Sequence, residues 1–329
     1  MKTKVIAVIG DSHTWGQGVD AESVFTDGIV GGEKRMMPFS APFYVNLLRN
    51  EVTKDGKSTE KEYYDAALSA FSGDLAGGYA EIREKSREVT ETFSLLRFFF
   101  RAYEEPTKAD LLIDGKTVKT VSLPATTANT SSSVIPVSVF AEDRGLHTVC
   151  IKCRSEAPVL LHRAEFYDGE YAVVNCGIGS CTVQHYEEEY LSSYIEPLTP
   201  SIILFEGCTV NNWIIDTDPE QYREALRSMQ KRLKALAPTV LWHTVFPVGG
   251  EQHYDGRPCC YDDYAAVMKE VAAEYGVPYA DCGAAALRAF GENDRASCAP
   301  RFFHDAWHPS KEGHALYASE IIPLLKKYL

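Results

Sequence analysis

Five short apolar runs, rich in β-branched residues, constrain what this chain can become. They are Val5–Ile9, Tyr171–Gly177, Ser201–Gly207, Thr239–Val245 and Val277–Cys282. Each has strand length and is bounded by polar or glycine-containing turns, the pattern of a strand buried on both faces. Helical stretches lie between the later runs. Pro219–Ala237 has Asp218 as N-cap, proline at the first helical position and Leu226, Met229, Leu233 and Leu236 on one face. Asp262–Tyr275 is a second helix, closed by Gly276, and Ser310 can cap a third over Ser310–Tyr328. Pro42–Val52 reads as a further helix near the start. Strands alternating with helices predict an α/β unit, a five-stranded parallel sheet covered on both faces.

Between the first and second runs the texture changes. Leu95–Tyr103 is apolar and aromatic, and Asp110–Lys116 enters a turn at Asp114-Gly115. Lys116–Leu123, Val134–Phe140 and Gly145–Arg154 alternate polar with apolar, and Pro158–Phe166 adds another strand. Short strands with turns between them predict an inserted all-β sandwich, jelly-roll-like, over residues 59–169. The parallel-sheet unit is then split into residues 1–58 and 170–329.

A length of 329 residues suits two such domains. The formal net charge of −13 disfavours nucleic acid and anionic membrane as partners. No apolar run reaches membrane-spanning length. The short first run flows into Gly10-Asp11-Ser12 with no small-residue cleavage site, so no signal peptide is read. Nine cysteines show no second C-x-x-C beside Cys150 and Cys153. Reduced, buried thiols in a cytoplasmic protein are the expectation.

The chemistry concentrates at the two ends. The first run stops at Gly10 and delivers Asp11 and Ser12 at a strand's carboxyl end, where open α/β sheets bind ligands. A serine nucleophile needs a base. Asp305-Ala306-Trp307-His308-Pro309 offers one. Residues i and i+3 share a face in a turn, so Asp305 can accept the Nδ1 proton of His308 and leave Nε2 free for Ser12. An oxyanion needs donors. Gly177-Ile178-Gly179-Ser180 and Gly207-Cys208-Thr209-Val210-Asn211-Asn212-Trp213, both at strand ends, can supply them.

These residues resemble the SGNH (GDSL) hydrolases. Gly10-Asp11-Ser12 looks like the family's first motif and Asp305-x-x-His308 like its last. The resemblance implies Ser12 as nucleophile, His308 as base and Asp305 as orienting acid. It further implies an oxyanion hole from the backbone of Ser12, the backbone of Gly179 or Ser180, and the side chain of Asn211, with Asn212 second. Residues 175–180 resemble the second motif, and the third motif is stretched relative to the family pattern. The family fold, a flavodoxin-like three-layer α/β/α sandwich, agrees with the five strands read independently.

Rival readings are weighed on the same residues. His304-Asp305-Ala306-Trp307-His308 differs from the zinc-protease helix motif by Asp for Glu, but Pro300 and Pro309 bracket it, so no metal is expected. His304 reads as a loop residue and His314 as packing or capping. His13 neighbours Ser12 in sequence and reads as a pocket wall or solvent residue. Cys181 and Cys208 lack a base of their own. Trp15 and Trp307 flank the proposed catalytic groups.

The expected function is a serine esterase acting on short-chain, acetyl esters through a Ser-His-Asp triad and an acyl-enzyme, with no cofactor. The insert resembles the sandwich modules of carbohydrate esterases, which points to a small-molecule or oligosaccharide ester as substrate. An O-acyltransferase on the same site and a non-catalytic carbohydrate-binding protein are the alternatives.

Overall fold

The computed structural model describes residues 3–19, 29–30, 33–34, 38–53, 59–63, 65–72, 75–76, 79–102, 105–125, 134–246, 260–291, 301–305 and 307–329. The chain forms two units. One comprises Met1–Lys4, Thr26–Phe39 and Thr53–Ala172, and the other Val5–Phe25, Ser40–Val52 and Val173–Leu329.

The second unit holds the parallel sheet. Its strands are β1 (Lys4–Gly10), β2 (Tyr171–Gly177), β3 (Ile202–Phe205), β4 (Thr239–His243) and β5 (Tyr279–Ala280), in spatial order β2-β1-β3-β4-β5. That order is the flavodoxin-like one, reversing between β1 and its two neighbours. Register is parallel, with Ile6 beside Ile202 and Ile203 beside Val240. All five runs expected as strands form this sheet. Val5–Ile9 are buried on both faces, as an unbroken apolar run requires.

The helices are α1 (Ser12–Trp15), α2 (Tyr44–Val52), α3 (Val183–His185), α4 (Thr209–Ile214), α5 (Pro219–Leu236), α6 (Tyr261–Glu274), α7 (Cys282–Phe290) and α8 (Lys311–Leu325). α8 packs on α2 and α7, whereas α6 packs on α4 and α5, giving two separate helix groups. The expected caps are in place. Asp218 accepts the N–H groups of Glu220 and Gln221, and Ser310 accepts that of Gly313. α3 continues as π-helix over Tyr186–Ile195, where the sequence reading assigned no element. Its buried residues, Tyr186, Tyr190, Leu191, Tyr194 and Ile195, do carry a helical spacing.

The other unit is antiparallel. Among the described residues, eight strands join one hydrogen-bonded sheet, with Val89–Ala102 between Val159–Asp168 and Ile135–Cys153. The two strands expected over 134–154 are one, Ile135–Cys153, bulged between Phe140 and Gly145 where polar Glu142, Asp143 and Arg144 stay exposed. An apolar cluster including Leu96, Phe98, Phe100, Val137, Ile151, Leu161 and Phe166 forms its core. Alternate positions carry a buried ionic group. Arg163 pairs with Glu165 at 2.8 Å and with Glu62 at 2.8 Å, and the Tyr167 hydroxyl donates to Glu165.

Among the described residues, no helix is long and apolar enough to cross a membrane, and seven cysteines are free thiols.

Candidate active site

Strand β1 ends at Gly10, and the chain turns at once into the single helical turn α1. Asp11 caps that turn: its Oδ1 accepts the His13 N–H at 2.9 Å. Gly10 has to be glycine, because a Cβ there would overlap Thr14 Oγ1 and the Glu206 carboxyl. The turn closes through Trp15 N–H to Asp11 C=O at 2.9 Å and Gly16 N–H to Ser12 C=O at 3.1 Å. Ser12 is therefore the first residue of α1, at the carboxyl end of a strand with neighbours on both sides.

The second contributor is the loop Phe302–Ser310. It is pinned at its base by Ser310 N–H to Phe302 C=O at 2.8 Å and His304 N–H to His308 C=O at 2.9 Å. Asp305 organises the tip. Its Oδ1 accepts the N–H groups of Trp307 and His308, each at 2.7 Å, and its Oδ2 accepts His308 Nδ1–H at 2.7 Å. Burial alone would raise the Asp305 pKa. The imidazole and the two backbone donors outweigh it and hold the carboxyl at about 2. With Nδ1 donating to Asp305, His308 presents Nε2 to Ser12 Oγ at 3.1 Å. Ser12, His308 and Asp305 thus form one continuous hydrogen-bonded series across 297 positions of sequence.

His304 lies in the loop, and its segment runs as a hairpin rather than a helix. His304 and His308 therefore do not share a helical face as the zinc motif requires. Pro300, invoked above as a bracket, lies outside the described residues.

The expected oxyanion donors fall on the ends of β2 and β3, flanking β1. Gly179 and Ser180 follow β2 in a turn, with Ser180 in the left-handed region at φ 60°. Neither N–H donates to another group among the described residues. Beyond β3, Gly207 and Cys208 both adopt positive φ, 89° and 47°, and launch α4. Asn211 on that helix donates Nδ2–H to Asp11 Oδ2 at 2.7 Å. Asn212 is wholly buried and turned away, donating to Cys208 C=O at 3.0 Å and accepting from Thr217 at 3.3 Å. Of the two asparagines, Asn211 is the one beside the Asp11–Ser12 turn. Burial raises the thiol pKa of both Cys181 and Cys208, so neither is an activated nucleophile.

Two contributors were not singled out from sequence. Glu206 is fully buried, and its Oε2 accepts the Asp11 N–H at 2.7 Å and the Thr14 hydroxyl at 3.3 Å. Burial, with the Asp11 charge beside it, pushes its pKa well above the carboxylate range. Its position at the end of an apolar run, Ile202–Phe205, was the available signal. His13 is neither pocket wall nor solvent residue. It is fully buried, and Nε2 bonds the Trp307 carbonyl at 2.8 Å.

Residues 155–316 match the sequence profile described as the GDSL-like lipase/acylhydrolase family. The matched span contains the 175–180 and 207–213 strand ends and the Asp305–His308 loop, and Ser12 precedes it. Over residues 155–316 the chain has the sequence of a GDSL-like lipase/acylhydrolase. It is accordingly a carboxylic ester hydrolase. Among solved structures, this GDSL-like hydrolase resembles a peptidoglycan O-acetylesterase at 13% identity and a TM-score of 0.53, covering 99% of this chain and 91% of that one. It also matches the acetylxylan esterase Axe2 from Geobacillus stearothermophilus at 22% identity and a TM-score of 0.38, over 46% of this chain and 71% of that one. No curated protein matches it. The first likeness shows the fold, in both its units.

Proposed function

We propose that this hydrolase removes acetyl groups from O-acetylated carbohydrates through Ser12, His308 and Asp305. The observation that carries the reading is the hydrogen-bonded series from Ser12 Oγ to His308 Nε2 and from His308 Nδ1 to Asp305. Ser12 Oγ attacks the ester carbonyl carbon as His308 Nε2 takes its proton. Asp305, ionised at any working pH, holds the tautomer and the resulting imidazolium. The tetrahedral oxyanion draws on the N–H of Ser12, the N–H of Gly179 or Ser180, and the second Nδ2 proton of Asn211. His308 then protonates the departing sugar alkoxide, leaving an acetyl-enzyme. Water, deprotonated by His308, releases acetate and restores Ser12.

The carbohydrate part of the proposal draws on the full-length likeness to a peptidoglycan O-acetylesterase, which extends over the antiparallel unit as well. A panel of p-nitrophenyl acetate, butyrate and octanoate with acetylated xylo- and chito-oligosaccharides tests it. The expected result is a preference for acetyl over octanoyl and release of acetate from at least one saccharide. Hydrolysis by Ser12→Ala at the wild-type rate would overturn the catalytic assignment. A preference for octanoyl would overturn the substrate class alone.

A further inference from the structure

We infer that His13, the residue after the nucleophile, is a positioning residue that fixes the His308 loop relative to Ser12 while remaining neutral. The inference rests on the Ser12–His308–Asp305 reading above. His13 shares α1 with Ser12, so whatever it holds is held at a fixed distance from the nucleophile. Its Nε2 lies 2.8 Å from the carbonyl oxygen of Trp307, the residue immediately before His308. A carbonyl only accepts, so Nε2 carries the proton. Its Nδ1 lies 3.2 Å from the Tyr317 hydroxyl on α8. That hydroxyl already accepts the Phe246 N–H at 2.9 Å, which leaves its own proton for Nδ1. The order of donation is therefore Phe246 N–H to Tyr317, Tyr317 O–H to His13 Nδ1, and His13 Nε2–H to Trp307 C=O.

This series fixes the His13 tautomer as Asp305 fixes that of His308, but in the opposite sense. The two imidazoles stand edge to face, with centroids 6.0 Å apart. His308 is held from one side by Asp305, within its own loop. Beside the His308 Nε2–Ser12 Oγ bond itself, the His13 bond ties the backbone of that loop to the helix bearing Ser12. Burial lowers the His13 pKa, consistent with a neutral ring bonded through both nitrogens. His13 touches neither substrate nor reacting atoms; it acts through the Trp307 peptide.

Side-chain replacements at position 13 separate positioning from mere packing. The amide nitrogen of glutamine reaches the place of Nε2, whereas that of asparagine reaches only the place of Nδ1. With p-nitrophenyl acetate, His13→Leu is expected to lower kcat on the order of 100-fold with KM within about twofold of wild type, the scale of an ångström-level misplacement. His13→Gln is expected to recover most of that loss and His13→Asn little of it. Tyr317→Phe, which leaves the Trp307 bond intact, is expected to fall between wild type and His13→Leu. Equal kcat for the glutamine and asparagine variants overturns the inference, as does a leucine variant within about twofold of wild type. If the leucine variant fails to fold, the Gln/Asn pair decides alone. Ser12→Ala and His308→Ala are measured in parallel. Activity retained in those two overturns the triad reading, whereas their inactivity beside a fully active His13→Leu overturns only the role of His13.

Discussion

The buried carboxyl of Glu206 accepts the backbone N–H of Asp11 at 2.7 Å, joining the end of β3 to the turn that carries Ser12. The same oxygen takes the Thr14 hydroxyl, whose oxygen lies 2.7 Å from that of Tyr44. The strand-to-helix turn is thus held from beneath by Glu206, whose carboxyl pKa is raised by burial and the Asp11 charge. A carboxyl whose folded pKa is raised keeps its proton above pH 4–5 while the unfolded chain loses it. Stability from this group is therefore intact at low pH and declines as pH rises through that window. Glu206→Gln keeps the acceptor and removes the titration. Its melting temperature at pH 8 is expected to equal or exceed that of wild type. Glu206→Ala leaves the Asp11 N–H buried and unpaired, at about 1–3 kcal/mol. Urea unfolding of both variants at pH 8 checks this, and a glutamine variant as unstable as the alanine one would refute it.

Asp305 makes a contrasting prediction. Three donors hold its carboxyl at about pKa 2, so its contribution to folding is present above pH 4 and disappears as pH falls toward 2. Asp305→Asn keeps the shape but places an amide where the carboxylate accepted His308 Nδ1–H. The favoured imidazole tautomer reverses and Nε2 no longer receives the Ser12 proton. A loss of about 10³–10⁴ in kcat is expected, with KM little changed, measured on p-nitrophenyl acetate at pH 7–8.

Acid sensitivity should come from a different set of residues. His243 and His314 are fully buried, and burial lowers both pKa values to about 3. In the unfolded chain each takes up a proton near pH 6.5 that the folded state refuses. Their contribution is complete above pH 6.5 and falls as pH drops from 6.5 toward 3, by about 1.4 kcal/mol per pH unit for each histidine. Urea midpoints are expected to fall steadily from pH 7 to pH 5. His314→Phe, which removes one of the two, should reduce that slope.

Much of this arrangement is legible in the sequence, and the parts that are not share a physical cause. The parallel strands announce themselves because an apolar run buried on both faces needs no partner to be recognised. Asp305 and His308 announce themselves because a three-residue separation places them together in any turn. Glu206 and His13 are different. Each is a polar residue beside a strand end or Ser12, and nothing local says whether it faces solvent or a buried hydrogen-bond partner, 195 positions away for Glu206 and 294 for His13. The Phe140–Gly145 bulge was read as a strand break for the same reason: polar residues at a loop and at a bulge look alike until the partner strand is seen. Asn211 and Asn212 are adjacent and alike, and only the helical phase of α4 separates them.

In the antiparallel unit, Arg163 tests whether a buried ionic group is structural. It is 1% exposed and held between Glu165 and Glu62. Removing it by Arg163→Ala leaves the Glu165 charge buried with one fewer partner, which costs about 3–5 kcal/mol when such a pair is broken. Glu165 also pairs with fully buried Arg97 at 3.5 Å, so the double variant Arg163→Met, Glu165→Leu takes that carboxylate from the Arg97 guanidinium and should not recover the loss, whereas adding Arg97→Met removes the guanidinium and should recover a large part. Calorimetry on the full chain compares them, and a single variant as stable as wild type would show that the pair carries no structural weight.

The two asparagines after β3 give the most direct separation of chemistry from architecture. Asn211 spends one Nδ2 proton on Asp11 and keeps the other at the Ser12 end of the sheet. Asn212 spends its amide on the Cys208 carbonyl and accepts from Thr217, both within the turn that shapes α4. Asn211→Ala should therefore lower kcat by about 10²–10³, the cost of one oxyanion donor, with little change in melting temperature. Asn212→Ala should destabilise the protein by about 1–3 kcal/mol, because two buried side-chain hydrogen bonds go: the Cys208 carbonyl keeps only the backbone N–H of residue 212, and the Thr217 hydroxyl loses its acceptor. Steady-state kinetics and thermal unfolding on both variants read the two effects independently. The reverse pattern, with kcat lost at Asn212 and stability lost at Asn211, would reassign the side-chain oxyanion donor to Asn212.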